Sequence, residues 1–322
     1  MKPLPHALND LPPQKQAELV RIREIVQEEL QAKITSCRKA RTKRFRILEL
    51  IHYTPPCQSR PNPQGKADAL LLIIVSHRAL ADMSAFWEEV EDRLCQDQAI
   101  RQNVLCFAHT RLEVIQQLDR PMSLFATIIE DGSRVRGTAR EINLPSTFPS
   151  TNPERTSNFN TAVDEMSRHY AKWTKLARLY LSAGPESSAV DDPVARNFTT
   201  FQLHQAAESA YRMVLHAVAG YTPTTHHLRR MRHLAKAIDI RLEEAWHPQG
   251  SDDQRYFDLL CRAYIEARYS LTYRTSEVAL RWQADRVAKL IEIADALCLE
   301  RLSTLGTNDP VPEICQPPQT LV

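Results

Sequence analysis

The chain has 322 residues, of which 43% are hydrophobic and 25% charged, values that are ordinary for a soluble globular protein of about two domains. Its formal net charge of +2 excludes a strong overall attraction to nucleic acid. The seven glycines offer no GxGxxG site, and Thr138 and Ala139 stand where a Walker phosphate loop needs Lys and Ser/Thr. The seven cysteines form no CxxC pair, which favours a reducing compartment over a disulfide framework.

The first half of the chain predicts a mixed α/β domain. Apolar residues recur at three and four over 14–34, so this segment is predicted to be a helix. "ALLLIIV" (69–75) and "NVLCFA" (103–108) indicate buried strands, and 83–94 indicates a helix between them. "LFATII" (124–129) fits either a third strand or a short helix, because periodicity alone does not separate the two.

The second half predicts helices throughout. "FQLHQAAESAYRMVLHAVAGY" (201–221) has one apolar stripe, and Gly220 is a natural C-cap. Segments 256–269 and 276–302 repeat such a stripe, and two weaker segments add to them. These weaker helices span 158–183 and 227–247. Five helices with short connections predict an up-and-down bundle.

These patterns divide the chain into an α/β domain (1–142), a linker (143–157), a helical bundle (158–304) and a disordered tail (305–322). The N-terminus is rich in proline and polar residues and is not typical of a signal peptide. The longest apolar run is far short of the roughly 20 residues that a spanning helix needs. We therefore expect a cytoplasmic protein without a membrane segment.

A Gly-Ser-Arg turn at Gly132–Gly137 resembles the phosphate-binding turn of nucleotidyltransferases related to polymerase β. That chemistry needs two carboxylates in Asp-x-Asp order on a following strand, since residues i and i+2 share a face and can reach one Mg²⁺. After Gly137 the chain offers Glu141 alone and then enters the predicted linker. We interpret this turn as a chance match.

A second segment, "KADALLLIIVSH" (66–77), resembles the Ser-Asp-x-Asp-Leu-Leu-Val-Ile-Val strand of bacterial HEPN-linked nucleotidyltransferases. Ala67 stands at the Ser and Asp68 at the first Asp, but Leu70 replaces the second Asp, and no glycine precedes Gly65 to form the upstream turn. The resemblance therefore implies a degenerate nucleotidyltransferase-like domain in which Asp68 is a remnant. Mg²⁺ and ATP are expected only if this domain retains binding.

The helical half resembles the HEPN domain that follows such nucleotidyltransferases in bacteria. The family motif Leu-His-Gln-Ala-Ala-Glu, with its later Tyr, Tyr-x-Pro and His-x-Leu, occurs over 203–228, and Tyr-x-x-Ala-Arg-Tyr occurs over 264–269. The resemblance implies an α+β protein with a small mixed sheet followed by an all-α HEPN bundle. It also implies partner binding, RNA metabolism, or roles in toxin–antitoxin systems, defence or plasmid stability.

Several residues of these motifs are candidates for a polar groove. His204, Glu208 and Tyr211 stand at i, i+4 and i+7 and are predicted to line one helical stripe. The complete set of groove candidates is His204, Glu208, Tyr211, His226, Arg268, Tyr269 and Tyr273. They either lock helix to helix or bind RNA, a nucleotide or a partner helix, and the sequence leaves both interpretations open. Arg229 and Arg230 are candidate phosphate contacts, and we expect no metal site.

HEPN ribonucleases carry an Arg-x(4–6)-His motif, and this chain has no His within that distance of Arg268; Tyr273 falls within that window. We therefore favour a non-catalytic or weakly catalytic binding or regulatory protein, which forms a homodimer or holds a partner protein through the bundle. One alternative is a nucleotidyltransferase that modifies a protein or small molecule, with Asp68 joined by Glu113 or Glu130. Another is an RNA-binding HEPN protein that does not cleave.

Overall fold

The structure is a computed structural model that describes residues 8, 11–37, 42–55, 67–118, 123–136, 153–183, 192–223, 225–246 and 250–306. Gly137, most of the predicted linker and nearly all of the predicted tail lie outside these residues. The chain divides into two compact units close to residue 155. The first is an α+β unit and the second is helical, so the predicted mixed α+β fold class is confirmed.

The α+β unit is built on a four-stranded mixed sheet. In chain order its elements are α1 (Pro13–Ser36), a 3-10 helix (Thr42–Arg44), β1 (Ile47–Tyr53), β2 (Ala67–Val75), α2 (Arg78–Ala81), α3 (Ser84–Gln96), β3 (Gln102–Thr110), α4 (Arg111–Leu118), α5 (Leu124–Asp131) and β4 (Ser133–Arg136). The strand order is β3-β2-β1-β4. β1 runs antiparallel to β2 and β4, whereas β2 and β3 run parallel.

β2 is buried along almost its whole length, which explains its continuous apolar sequence. Its alternate residues Ala69, Leu71, Ile73 and Val75 pack in one core cluster with residues of α1 and α3. Because side chains alternate across a strand, Leu70, Leu72 and Ile74 belong to the opposite face, where α4 and α5 contact the sheet. Helices therefore cover both faces of β2.

Gly132 joins α5 to β4 at a point where the backbone passes very close to its neighbours. A Cβ atom at this position would lie 2.8 Å from Cγ2 of Ile51 and closer still to the carbonyl oxygen of Ile128. Only glycine fits this approach without a shift of the backbone. The Gly-Ser-Arg stretch thus follows a helix of only eight residues, and its glycine serves packing at this junction.

The helical unit consists of α6 (Pro153–Ala183), α7 (Pro193–Ala219), α8 (Leu228–Ile238), a 3-10 helix (Ile240–Trp246), α9 (Asp253–Tyr269) and α10 (Glu277–Gly306). α7 is its centre and contacts α8, α9 and α10. The side chain of Asp192 caps its N-terminus by accepting from the backbone N–H of Val194, and Pro193 is the first helical residue. Gly220 ends it with φ of 60°, as its predicted C-cap role requires.

The structure resolves one ambiguous segment and corrects the predicted end of a helix. The ambiguous run 124–129 is the helix α5. The helix predicted over 227–247 ends at Ile238, and Asp239 adopts an extended conformation whose carboxylate accepts from the backbone N–H of Arg241. This local hydrogen bond competes with the helix and starts the 3-10 helix. Within the described ranges, no helix combines the length and apolar character needed to cross a bilayer.

Candidate functional site in the helical region

Glu208 is the centre of a polar network in the middle of α7, where its side chain is only 7% exposed. Its carboxylate accepts hydrogen bonds from Nε of Arg212 at 2.9 Å and from Nδ1 of His226 at 3.0 Å. Arg212 also donates to the backbone carbonyl oxygens of Pro223 and Thr225. The Glu208–Arg212 pair therefore holds the segment between α7 and α8 against α7.

His204 lies one turn before Glu208 and connects α7 with α9. Its Nδ1 is 2.9 Å from the carbonyl oxygen of Leu260, and because a carbonyl only accepts, Nδ1 carries the proton. Nε2 lies 3.9 Å from Glu208 Oε2, too far for a hydrogen bond. Burial lowers the pKa of His204, so the ring is neutral in the folded protein.

An aromatic and cationic cluster continues the network toward solvent. The half-exposed ring of His226 stacks on Tyr264, with ring centroids 4.5 Å apart and planes at 10°. The guanidinium carbon of Arg268 lies 4.6 Å from the Tyr264 ring centroid, 4.9 Å from that of Phe201 and 5.0 Å from that of Tyr269. These distances are typical of cation–π contacts, so Arg268 is held by aromatic faces at the surface.

Tyr211 and Tyr273 are packing residues outside this cluster. The hydroxyl of Tyr211 accepts from Nε1 of Trp246 at 2.6 Å, on the side of α7 that faces the 3-10 helix. The hydroxyl of Tyr273 donates to the carbonyl oxygen of Leu259 at 2.9 Å. Burial raises the pKa of both phenols, that of Tyr273 to about 12. Both groups therefore stay protonated and serve as hydrogen-bonding anchors.

The two candidate phosphate contacts lie on α8 and differ in exposure. Arg229 is exposed, but its Nη2 is 2.7 Å from Oδ1 of Asp258 on α9. Arg230 is only partly exposed. The carboxylate of Asp258 offsets the charge of Arg229 and reduces its attraction for a phosphate.

Exposed apolar side chains gather at one end of the helical unit. The described residues include ten large apolar side chains that are exposed, and six belong to this end. We call them the end surface: Val194, Phe198, Ile265, Tyr269, Leu271 and Val278. They come from the start of α7, the end of α9, the following loop and the start of α10. Leu271 is 90% exposed, an unusual position for a leucine.

Hydrogen bonds between α7 and the loop after α9 bring these segments together. Asn197 donates from Nδ2 to the carbonyl oxygen of Tyr273 and accepts from the backbone N–H of Thr275. Arg196 donates from Nε to the carbonyl oxygen of Thr275. Arg196 and Asn197 lie between Val194 and Phe198 in the first turns of α7, so these bonds hold that end of α7 against the loop that contains Leu271.

The charges around the end surface are not balanced. Arg262 pairs with Glu266, and Arg281 pairs with Glu277. The exposed Arg268 contacts aromatic rings and a backbone carbonyl oxygen, and the exposed Arg274 donates to two backbone carbonyl oxygens. Neither has a carboxylate partner among the described residues. The surface is therefore apolar with a residual positive charge.

In the α+β unit, the structure places Asp68 at the start of β2. Asp68 is buried and its Oδ1 accepts from Nδ2 of Asn103 at 2.9 Å. Asp68 pairs with Asn103 on β3, whereas Glu113 hydrogen-bonds Thr110, which pairs with Val75 at the other end of the same two strands. At roughly 3.3 Å per residue, about 23 Å of strand separates these ends. Glu113 therefore cannot share a metal with Asp68.

The second carboxylate proposed to join Asp68, Glu130, lies in the last turn of α5. That helix ends beside β1, where the Gly132 Cβ position is 3.0 Å from the carbonyl oxygen of His52. His52 is next to Tyr53, which pairs with Leu70 near the start of β2. Glu130 therefore lies toward the same end of the sheet as Asp68. Among the described residues, neither belongs to a group of three side chains close enough to bind a metal together.

Comparison with known families identifies the second unit. The chain consists of a small α+β unit followed by a helical unit. The polar network around Glu208 lies on α7, the central helix of the helical unit. Residues 170–299 match the HEPN domain, so the chain contains a HEPN domain and that part of the resemblance is confirmed. No curated protein matches the sequence.

The structure also adds residues that sequence reasoning did not select. Arg212 completes the pairing of Glu208, and its i, i+4 spacing from Glu208 was a visible signal. Phe198 and Ile265 gave no such signal, because an apolar residue in a helix is normally buried, and Leu271 is a single leucine in the loop after α9. Their exposure depends on how the helices pack.

Proposed function

We propose that the protein is a non-catalytic binding or regulatory module whose HEPN domain holds a protein partner on the end surface. The observation that carries this proposal is the gathering of six of the ten exposed large apolar side chains at one end of the helical unit. Apolar residues gathered in this way mark interaction sites more often than single exposed ones do. A HEPN domain points broadly to RNA-related or toxin- and defence-type functions, and partner binding fits that range.

The charge of the end surface indicates the chemistry of the partner. Arg268 and Arg274 lie beside the apolar residues, and neither pairs with a carboxylate in the described ranges. In a suitable partner segment, apolar side chains would bury the apolar residues of the end surface, and acidic side chains would pair with the two arginines. A second copy of the same surface would bring further arginines to the interface, so we favour a different chain over a homodimer.

The polar network supports this role by fixing the shape of the domain. Both oxygens of Glu208 accept from His226, one also accepts from Arg212, and the proton of His204 is committed to Leu260. These groups join α7 to α9 and to the segment before α8. We infer that they are structural and do not form a general acid–base pair.

RNA binding is the second candidate, and one observation favours it. The stacked His226 and Tyr264 rings, with Arg268 against Tyr264, resemble the aromatic and guanidinium surfaces on which unpaired bases stack. The aliphatic residues Ile265 and Leu271 do not suit base stacking, and the formal net charge is only +2. For these reasons we place RNA behind a protein partner.

For the α+β unit we propose a degenerate nucleotidyltransferase-like domain without transfer activity. Asp68 is bonded to Asn103, and Leu70 is buried where a second carboxylate would be needed. If this is right, the purified chain transfers no labelled nucleotide from ATP with Mg²⁺ to itself or to co-purified protein. Transfer that is lost in Asp68→Asn would restore the enzyme alternative, with Glu130 as the next residue to test.

The test of partner binding uses tagged full-length protein purified gently from its own cells. We would measure the native mass of the complex before and after RNase treatment, for the wild type and for the double variant Ile265→Ser/Leu271→Ser. Leu299→Ser is the matched control, because Leu299 is an exposed residue near the other end of α10. All three substituted positions are exposed, so the fold is expected to be kept.

The expected result is a stoichiometric second protein that resists RNase, is lost from the double variant and is retained by Leu299→Ser. A mass that falls with RNase would replace this proposal by RNA binding. A doubled mass of this chain alone, lost in the double variant, would assign the end surface to a homodimer. A complex of unchanged mass in the double variant would overturn the assignment of the surface.

A further inference from the structure

Two histidines from neighbouring helices face each other away from the end surface. His169 on α6 and His216 on α7 stack with ring centroids 3.9 Å apart and planes at 15°. Glu165 lies one helical turn before His169, so its side chain is on the same face of α6. One potential ligand atom from each of the three residues lies within 4.8 Å of the other two.

The surroundings of the cluster hold its two helices in place. Tyr170 donates to Oδ1 of Asp295 on α10 at 2.7 Å, and Thr174 contacts the sulfur of Met213 on α7 at 2.8 Å. These contacts hold α6 against α10 and α7 just after His169. The helix segments that carry His169 and His216 are therefore held together without a ligand.

His216 is also oriented by a hydrogen bond. It is buried, and its Nδ1 is 3.1 Å from the hydroxyl oxygen of Thr222. In the tautomer in which Nδ1 donates to Thr222, the lone pair of the ring is on Nε2. Such hydrogen bonds from the second nitrogen orient histidine ligands in many metal sites.

We propose that Glu165, His169 and His216 form a binding site for a divalent transition-metal ion of the zinc type. Two imidazoles and one carboxylate suit Zn²⁺, which binds nitrogen at about 2.0–2.1 Å and leaves a fourth position for water. Tetrahedral ligands at this distance are roughly 3.4 Å apart. An imidazole binds metal in the plane of its ring, so the stacked rings cannot both bind one ion without movement. The partly exposed His169 and the exposed Glu165 would rotate toward the buried His216.

The ion would connect α6 to α7 with two ligands from one helix and one from the other. A ligand that binds only the folded state raises its stability by an amount that grows with the logarithm of the ratio of ligand concentration to Kd. The ion would therefore add a metal-dependent contribution to contacts that already attach α6 to α7 and α10. This role is independent of the end surface and of any partner bound there.

The test measures Zn²⁺ binding to the full chain after treatment with a chelator. We would use calorimetry, visible and near-ultraviolet absorption of the Co²⁺ form, and the thermal unfolding temperature with and without Zn²⁺. Glu165→Gln and His169→Asn remove ligands from positions that are not fully buried. The controls are Asp164→Asn, the exposed neighbour of Glu165, and His227→Asn, an exposed histidine elsewhere.

We expect one equivalent of Zn²⁺, a higher unfolding temperature, and affinity at least about tenfold weaker in Glu165→Gln and in His169→Asn. Both controls should bind as the wild type does. The Co²⁺ form should lack the strong near-ultraviolet absorption that thiolate ligands give. Absence of binding, equal binding by all variants, or a thiolate spectrum would each overturn the proposal.

Discussion

Nε of Arg212 donates to Oε1 of Glu208 across 2.9 Å, one helical turn along α7, and the same guanidinium binds two carbonyl oxygens of the segment before α8. The pair is largely buried, with side chains 13% and 7% exposed. Removal of one charge would leave the other buried without its partner, which is the costly case for ion pairs.

We therefore expect Glu208→Gln to lower the free energy of unfolding by about 2–4 kcal/mol. Urea unfolding followed by tryptophan fluorescence measures this, because three of the four tryptophans belong to the helical unit. Glu277→Gln is the matched control, since its pair with Arg281 is exposed and should contribute less than about 1 kcal/mol. Equal effects of the two substitutions would contradict a buried anchor.

Arg301 gives the opposite expectation, because its buried guanidinium has no charged partner within the part of the chain that the structure describes. The side chain continues the apolar stripe of α10, and Nε and Nη2 are buried without a hydrogen-bond partner among the described residues. Burial lowers the pKa of this arginine. We expect Arg301→Met to raise the free energy of unfolding by about 1–3 kcal/mol, because an apolar side chain of similar length removes the desolvation cost.

The same urea experiment measures this gain. Arg281→Met, at an exposed position of the same helix, should change stability by less than about 0.5 kcal/mol. A loss of stability in Arg301→Met would show that the guanidinium has a favourable role in the folded protein, and an anion should then be sought beside it.

His52 should make the α+β unit sensitive to acid. Burial, with a smaller effect of the nearby charge of Lys15, lowers the pKa of His52 to about 3, while Nε2 is hydrogen-bonded to Gln102. The unfolded chain takes up this proton near pH 6.5 and the folded chain only near pH 3. Its contribution to stability is therefore complete above pH 6.5 and falls between these values.

Substitution of His52 by Gln should flatten this dependence. Between about pH 6 and pH 3 the slope of unfolding free energy against pH should decrease by up to about 1.4 kcal/mol per pH unit, the effect of one proton. Hydrogen exchange of the amides in β1, β2 and β3 at several pH values measures it for this unit. Parallel pH profiles in wild type and variant would exclude His52 as the group responsible.

Gly220 offers a test of the C-terminal cap of α7. Its φ of 60° is in the left-handed region, which alanine adopts at a cost. Gly220→Ala should lower the free energy of unfolding by about 1 kcal/mol. Gly220→Asn should cost less, because asparagine tolerates this conformation better, and an equal loss in both variants would assign the effect to crowding by the added side chain.

Local patterns predicted much of the fold, and long-range packing accounts for what they missed. The run 69–75 and the stripe of 201–219 with Gly220 after it were sufficient to predict β2 and α7. The run 47–53 gave no clear strand signal, although it forms β1 inside the sheet, because Glu49 and His52 interrupt its apolar sequence and are nevertheless buried. The run 124–129 was ambiguous because it is too short for periodicity to separate a strand from a helix.

The site was less accessible from sequence. The spacing of His204 and Glu208 indicated a shared face, and their partners Leu260 and His226 depend on which helices meet. The stacking of His169 on His216 brings together residues 47 positions apart on two helices, and no periodicity in one helix indicates it. Tyr211 followed the same spacing rule but bonds Trp246, because its hydroxyl extends toward another element.

The parallel pairing of β2 with β3 has a consequence for how the chain folds. These strands align over nine residue pairs, but the two members of each pair are 35 residues apart in sequence, and β1 must also pair with β4 more than 80 residues away. In the helical unit the backbone hydrogen bonds are local, within single helices, although α7 packs most extensively against α10, which is distant in the chain. Loop closure precedes the gain from distant contacts, so the α+β unit, although synthesised first, should acquire its native structure more slowly than the HEPN domain that follows it.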